Sequence, residues 1–271
     1  MSEPKLDFVP PAPRIAVEHM GSGEPLIFLH GIGGNRTNWR DQMPEFSRHF
    51  HTMSWDARGY GSSDDYEGDL DFSDYSHDLK RVLDHYKIDK IHICGLSMGG
   101  RIAMDFVRFY PNRVRSLTLC DTHLGLQHFS EERKAEFVRL RKEPLLAGKE
   151  PKDMAPAVAR TLMGPNAPEW VYDRLVDSMS RLHKLSYIKS VEASVRSDGP
   201  KELEKVSVPT HVVCGGGDRL TPPETAREIA RRIPGAKLTI IGDAGHLPNI
   251  EEPKAFNEAV LGFLLEKFPK R

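Results

Sequence analysis

Three polar residues follow short apolar runs in the order serine, aspartate, histidine. Ser97 lies in the segment Gly95-Leu96-Ser97-Met98-Gly99, Asp218 ends a Gly-Gly-Gly-Asp loop, and His246 follows a glycine. A serine hydroxyl is a weak nucleophile at neutral pH, so it needs an imidazole to take its proton and a carboxylate to orient that imidazole. We therefore interpret Ser97 as the nucleophile, His246 as the base and Asp218 as the orienting acid of a catalytic triad.

The glycines beside Ser97 indicate how a nucleophile would be presented. Small residues two positions before and after the serine are typical of a nucleophile elbow, a tight turn from a strand into a helix. An apolar run, 91–94, precedes the motif, and a helix-like segment, 101–110, follows it. The pattern fixes only three residues, and a flexible loop would fit them as well. The elbow is favoured because all three triad candidates follow predicted strands.

Two other aspartates compete with Asp218 for the role of acid. Asp243 is close to His246 in sequence, and Asp121 follows the predicted strand 117–120. We favour Asp218 because it alone lies in a glycine-rich loop after the penultimate predicted strand.

An oxyanion hole requires two backbone N–H groups where negative charge develops. We assign one to Met98, the residue after the nucleophile. The other is assigned to Ile32, in the loop His30-Gly31-Ile32-Gly33-Gly34 that follows the predicted strand 26–29. We expect His30 to brace this loop, because another histidine already follows the acid.

The elements that must position these residues are strands and helices. Strand-like apolar runs alternate with helix-like segments in the N-terminal and C-terminal parts of the chain. This alternation predicts an α/β fold, a mostly parallel sheet with helices on both faces. Strands are predicted at 15–19, 26–29, 51–55, 91–94, 114–120, 212–214 and 238–241. Helices are predicted at 37–48, 73–86, 101–110 and 253–266, with Ser73 or Asp74 as the N-cap of the second.

From residue 123 to residue 200 no strand is predicted. Helix-like segments at 131–141, 155–163, 169–182 and 187–195 are separated by prolines. A long insertion at the catalytic edge of a sheet is expected to form a helical cap over the site. We therefore divide the chain into an α/β core, residues 1–122 and 201–271, and the 123–200 insertion, which is not an independent domain.

Five residues are candidates for contact with a substrate. Trp39, Met163 and Trp170 could line an apolar pocket, although large residues at helical spacing also fit a core position. Arg160 and Arg181 could bind a carboxylate, although arginines on such helices also fit a solvated surface.

Taken together, the motifs resemble those of the α/β-hydrolase fold superfamily over about residues 17–268. The resemblance is carried by 30–33, by Asp-Ala-Arg-Gly-Tyr-Gly-Ser-Ser-Asp at 56–64, and by 95–100, 217–218 and 245–246. In that family Asp56 and Arg58 would brace the turn beside the oxyanion hole. Segment 115–122 is similar to that of the 3-oxoadipate enol-lactonases, which open a lactone ring that carries a carboxylate. Those enzymes commonly have Asn-Thr where this chain has Asp121-Thr122.

This resemblance implies a cofactor-independent serine hydrolase that cleaves a small carboxylic ester or lactone through an acyl-enzyme. Related esterases and the C–C hydrolases of meta-cleavage dienoates share much of the same sequence, so C–C cleavage is an alternative. A hydrolase-fold receptor that binds a ligand without turnover is an alternative from another class.

Composition sets further expectations. The formal net charge is −1, from 38 basic and 39 acidic residues, which gives no electrostatic basis for binding nucleic acid or an anionic membrane. No apolar run approaches the roughly 18 residues that would span a bilayer, and the N-terminus lacks the hydrophobic core of a signal peptide. We therefore expect a cytoplasmic enzyme whose partner is a small-molecule substrate. A homodimer is compatible with the sequence.

The three cysteines, Cys94, Cys120 and Cys214, all lie in predicted strands, so we expect reduced, buried thiols. The sequence contains no Cys-x-x-Cys or His-x-x-x-His spacing, so neither a metal nor a cofactor is expected.

Overall fold

A twisted sheet of eight strands forms the centre of the molecule. The computed structural model describes residues 3–127 and 129–269. The strands are β1 (Lys5–Val9), β2 (Ile15–Met20), β3 (Pro25–Leu29), β4 (His51–Trp55), β5 (Ile91–Leu96), β6 (Val114–Cys120), β7 (Thr210–Gly215) and β8 (Lys237–Ile241). Their order across the sheet is β1-β2-β4-β3-β5-β6-β7-β8. The first two strands pair antiparallel, and β3 to β8 run parallel.

Helices cover both faces of this sheet. They are α1 (Met43–Phe46), α2 (Asp74–His85), α3 (Met98–Phe109), α4 (Glu131–Leu146), α5 (Pro151–Leu162), α6 (Glu169–Ser180), α7 (Lys184–Arg196), α8 (Pro223–Arg232), α9 (Pro248–Glu251) and α10 (Pro253–Lys267). Alternate strand residues pack into two separate cores, as period-two side-chain direction requires. Ile27 and Ile93 pack with α2, α3 and α8, whereas Phe28 and Cys94 pack with α1, α9 and α10.

The 123–200 insertion, between β6 and β7, contains two pairs of helices. Helices α4 and α7 pack through Leu145, Tyr187 and Val191. Helices α5 and α6 pack against each other, and Ala159 and Val171 join the core that contains Phe28. The two pairs therefore have different neighbours.

The predicted fold class is confirmed, but one helix is wrong. The segment 37–48 forms a short 3-10 helix, Arg36–Trp39, and the four-residue α1. Asn35 caps the 3-10 helix through the Thr37 N–H, and Pro44 has no N–H with which to continue a helix from residue 40. Strand β1 and helix α8 were not predicted, because β1 is a mostly exposed edge strand and α8 is rich in charged residues.

Candidate active site

Ser97 alone forms the turn between β5 and α3. Its φ is +54°, in the left-handed region that a residue other than glycine rarely adopts. A Cβ on Gly95 would lie 2.3 Å from the Gly99 carbonyl oxygen, and a Cβ on Gly99 would lie 2.2 Å from the Leu29 carbonyl oxygen. The backbone is therefore too close at both positions for a side chain, which is the steric requirement of a nucleophile elbow.

Asp218 and His246 lie in the loops that follow β7 and β8. His246 Nδ1 is 2.8 Å from Asp218 Oδ2, and both residues are buried. Asp218 also accepts hydrogen bonds from the Thr221 hydroxyl at 2.6 Å and from the backbone N–H groups of Leu220 and Thr221. Burial raises the pKa of Asp218, but His246 and the Thr221 donors outweigh it and hold that pKa below its usual value. The carboxylate is thus ionised and fixed against one imidazole nitrogen.

The side chain of Ser97 borders a cavity. Within residues 3–127 and 129–269, Ser97 Oγ makes no hydrogen bond, to His246 or to any other residue. In catalytic sites the hydrogen bond between a nucleophile and its base often forms well only when substrate binds. The hydrogen bond from Nδ1 to Asp218 leaves His246 Nε2 as the nitrogen available to Ser97.

The loop after β3 lies against Ser97. A Cβ on Gly31 would be 3.7 Å from Ser97 Oγ, so the residue before Ile32 lies against the Ser97 side chain. Met98 is the first residue of α3, where a backbone N–H has no partner within the helix. In the part of the chain that the structure describes, neither N–H donates a hydrogen bond.

His30 braces this loop through both ring nitrogens. Nδ1 donates to the Gly31 carbonyl at 2.8 Å, and Nε2 accepts the Ala57 N–H at 3.0 Å. Behind it, Asp56 accepts from the backbone and side chain of Arg36, and Arg58 forms a two-bond ion pair with Asp78. His30, Asp56 and Arg58 thus hold the loops in place and do not face the cavity.

The two other aspartates have different environments. Asp243 is exposed, and its nearest hydrogen-bond partner is the Asn166 amide at 3.5 Å. Asp121 is buried at the end of β6, where Oδ1 accepts the Gly215 N–H at 2.8 Å and Oδ2 accepts the Cys120 thiol at 3.0 Å. Burial and the nearby Asp218 carboxylate raise the pKa of Asp121 well above its usual value.

A cavity of about 910 Å³ opens beside Ser97, Ile32 and Met98. This volume is within the range of small-molecule sites. Its walls come from the loop after β6, from α4, and from the loop between β7 and α8, and they include Leu124, Leu126, Phe137, Leu140, Arg101 and Arg141.

None of the five predicted substrate contacts is among the residues that line this cavity, so their contact with a substrate stays a prediction. Trp39 is fully buried and stacks on Phe28 with ring centroids 4.6 Å apart. Met163 is the C-cap of α5 and packs against the core that contains Phe28. Trp170 is 48% exposed on α6.

Both predicted arginines have acidic partners on the surface. Arg160 forms an ion pair with Glu169 that links α5 to α6, and Arg181 pairs with Asp177 one turn earlier on α6. The α5 and α6 pair packs into the core that contains Phe28, while α4 borders the cavity.

Three residues of the site were not predicted. Thr221 fixes the acid, Arg141 lies in the cavity wall, and Glu251 lies under the His246 loop. The sequence carried a signal for Thr221, since a hydroxyl three residues after an aspartate can form a local turn bond. Arg141 borders the cavity and Glu251 accepts the N–H of the distant Gly164, and no local sequence pattern marks either residue.

Two sequence expectations concern the whole chain. The three cysteines are free and buried. Among the described residues, no helix is both long enough and apolar enough to cross a membrane.

Comparison with known proteins places these features in context. Residues 24–253 match a family model described as alpha/beta hydrolase fold. A 2-hydroxy-6-oxononadienedioate/2-hydroxy-6-oxononatrienedioate hydrolase from Klebsiella pneumoniae is 30% identical over 265 residues, which cover 93% of this chain and 91% of the relative. The 3-oxoadipate enol-lactonase 2 of Acinetobacter baylyi is 26% identical over 87% of this chain and 86% of its own length. A thermophilic esterase from Thermogutta terrifontis, solved with malate bound, superposes with a TM-score of 0.87 at 28% identity, covering 98% of this chain and 99% of the esterase.

Proposed function

The chain belongs to the alpha/beta hydrolase fold family, and from that premise we propose that it is a serine hydrolase that cleaves a small carboxylic ester or lactone without a cofactor. The observation that carries the proposal is the buried Asp218–His246 pair, 2.8 Å between Nδ1 and Oδ2, in the same site as Ser97 on its elbow and the cavity beside it. This is the arrangement that makes a serine hydroxyl a nucleophile.

The proposed reaction proceeds through an acyl-enzyme. His246 takes the proton of Ser97 Oγ as the oxygen attacks the carbonyl carbon, and the same proton passes to the leaving oxygen as the ester bond breaks. Water then attacks the acyl-enzyme with His246 again as base, which releases the acid and restores Ser97. Asp218 keeps the imidazole in the tautomer that accepts at Nε2 and stabilises the imidazolium.

The N–H groups of Ile32 and Met98 would bind the tetrahedral oxyanion. Neither donates to the described part of the protein, and both belong to backbone that contacts Ser97 directly. Donors held in place before the reaction need no reorganisation when the charge develops.

Arg141 supports a substrate that carries a carboxylate. Its guanidinium lies over the Phe137 ring, 3.6 Å from the centroid, and donates to the Phe137 carbonyl at 3.0 Å. Burial lowers the pKa of Arg141, and no carboxylate among the described residues forms an ion pair with it. A substrate carboxylate in the cavity would supply that missing partner. An enol-lactone-like acid, as in the name of the Acinetobacter relative, meets this requirement.

Hydrolysis of a C–C bond in a meta-cleavage-type dienoate is the second candidate. The Klebsiella hydrolase named for dienedioate and trienedioate substrates is 30% identical over 93% of this chain. The same Ser97, His246 and Asp218 would serve, and a carboxylate of such a substrate could also meet Arg141. The two reactions therefore differ in the bond that breaks.

A substrate panel with a nucleophile variant tests the proposal. We expect kcat/KM to be highest for a p-nitrophenyl ester or small lactone and lower for a ring-fission dienoate. Ser97→Ala should lower kcat by several orders of magnitude while the protein stays folded, because the elbow accepts a small side chain. A fluorophosphonate should label the wild-type protein at Ser97. Ser207→Ala, a change at an exposed serine far along the chain, serves as the matched control.

The outcomes separate the candidates. Preference for the dienoate would favour the C–C hydrolase. Near-normal turnover by a folded Ser97→Ala variant would remove the serine mechanism. Ligand binding with no turnover of any panel member and no labelling would favour the receptor alternative.

A further inference from the structure

We propose that the acid of this site is a pair of carboxyl groups, Asp121 and Asp218, which together hold one negative charge beside His246. The proposal rests on the proposed function and adds Asp121 to its machinery as a positioning residue. It does not replace Asp218 as the residue bonded to the imidazole.

The geometry brings the three side chains together at the ends of adjacent strands. One ligand atom each of Asp121, Asp218 and His246 lie within 4.8 Å of one another, and all three residues are buried. Asp121 has a φ of +40°, a strained conformation for aspartate that directs the chain as it leaves β6. Its Oδ1 accepts the N–H of Gly215, the last residue of β7, from which the loop to Asp218 starts. Asp121 thus fixes the backbone that carries Asp218.

Charge repulsion and the number of hydrogen-bond donors determine which of the two carboxyl groups is ionised. Two carboxylates this close in a buried site do not both ionise. Asp218 has four hydrogen-bond donors, including His246, whereas Asp121 has one backbone N–H and one weak thiol donor. The negative charge therefore lies on Asp218, and Asp121 is neutral.

Among residues 3–127 and 129–269, no lysine or arginine forms an ion pair with either carboxyl group, so no such cation would favour ionisation of both. Besides Asp218 and His246, the titratable groups that face Asp121 are the thiols of Cys120 and Cys214. Glu251 acts on the pair only through Asp218, and it is an acid as well. The direction of the Asp121 pKa, raised by burial and by Asp218, agrees with a neutral partner.

A double-mutant cycle tests the pair. The cycle compares the wild type with Asp121→Asn, Asp218→Asn and the double variant. Two quantities are measured for each protein: kcat/KM for p-nitrophenyl acetate and the rate at which a fluorophosphonate labels Ser97. Both are divided by the folded fraction obtained from thermal unfolding. In the native background, Asp121→Asn should cost less than about fivefold, because an amide replaces a neutral acid. In the Asp218→Asn background, the decrease in kcat/KM caused by Asp121→Asn should be at least about tenfold larger than in the native background. The reason is that the site then has no carboxyl group left to take the negative charge.

A pH profile gives a readout that a purely structural role would not change. Activity left in Asp218→Asn should include a component that rises with pH as Asp121 ionises next to His246, and the double variant should lack this component. Asp243→Asn, at an exposed site, is the matched control and should leave the activity of each background, native or Asp218→Asn, unchanged.

Equal costs of Asp121→Asn in both backgrounds would overturn the pair, as would an Asp121→Asn variant as damaged as Asp218→Asn. If the double variant does not fold, Asp121→Ser in the Asp218→Asn background takes its place. A wild-type protein that neither reacts with the fluorophosphonate nor hydrolyses the ester would contradict the proposed function itself. Labelled wild type with equal costs would contradict only the pair.

Discussion

Arg141 offers the most direct test of substrate charge at the scale of single residues. Arg141→Met keeps the apolar stem over Phe137 and removes the cation. We expect KM for a mono-p-nitrophenyl dicarboxylate to rise roughly 10- to 150-fold, the equivalent of losing about 1.5–3 kcal/mol from a charged hydrogen bond. The neutral p-nitrophenyl ester of similar length should change by no more than about twofold, because it makes no such bond.

Arg160→Met is the control for Arg141→Met. Arg160 also stacks on an aromatic ring, that of Tyr172 at 3.8 Å, but it pairs with Glu169 outside the cavity. Equal effects of the two changes, or equal effects of Arg141→Met on acidic and neutral esters, would remove Arg141 from substrate recognition.

Residues of the site differ in how well their places could be predicted. Ser97, Asp218 and His246 lie in glycine-rich turns directly after strands, and such turns leave a local pattern in the sequence. Arg141 lies ten residues into α4, and nothing in its neighbourhood distinguishes it from Arg160 or Arg181. Only the packing of α4 beside the cavity, a contact between distant segments, makes the distinction.

At the scale of elements, the end of α5 is tied to the loop that carries His246. The His246 N–H donates to the Leu162 carbonyl at 2.8 Å. Glu251 Oε2 accepts the N–H groups of both Gly164 and Gly245, at 2.9 and 3.0 Å. One buried carboxylate thus joins the 123–200 insertion to the proposed base.

Glu251→Ala should loosen this connection. It leaves two buried N–H groups without an acceptor, so the free energy of unfolding should fall by about 2–5 kcal/mol. Because His246 loses its support, kcat should fall more than about tenfold while KM changes little. Urea denaturation and steady-state kinetics measure the two effects.

The adjacent Glu252 is exposed, so Glu252→Ala is the matched control. If Glu251→Ala lowers stability but leaves kcat of the folded protein at the wild-type value, the connection stabilises the fold and does not position the base.

Strands and helices could be predicted where the spacing of apolar residues, and the glycines and prolines between them, mark their positions. Strand β4 was expected at 51–55 and is found there, because Met53 and Trp55 alternate with polar residues at the period of a strand. The helix-like segments separated by prolines predict α4 to α7 but not which elements these helices contact. Which pair joins the core that contains Phe28 and which borders the cavity depends on contacts between segments far apart in the sequence.

At the scale of the whole molecule, buried neutral histidines connect stability to pH. His211, on β7, is buried beside the Phe263 ring, and its Nε2 is 2.8 Å from the Thr239 hydroxyl. Burial, aided by Lys237, lowers the pKa of His211 to about 4, from 6.5. A lowered folded-state pKa means that the unfolded chain binds the proton first, so this stability is present above pH 6.5 and declines as pH falls toward 4.

We expect His211 to account for about 2 kcal/mol of unfolding free energy lost between pH 7 and pH 5. Asp105, whose pKa is raised to about 6 by burial, contributes with the opposite sign over part of this range, so the wild-type curve alone does not isolate the effect. Urea denaturation of His211→Asn should show a correspondingly flatter dependence than wild type. His85→Asn, at an exposed site, is the control, and parallel curves for wild type and His211→Asn would contradict the prediction.

The two helix pairs of the 123–200 insertion have a consequence for how this protein can change over evolution. Helix α4 borders the cavity, while the end of α5 holds the loop of the proposed base. Substitutions along α4 can therefore exchange one set of accepted molecules for another without disturbing the reactive groups. The same number of substitutions at the end of α5 would damage the reaction for every molecule. New specificities should accordingly arise, in nature or in directed selection, through α4 first.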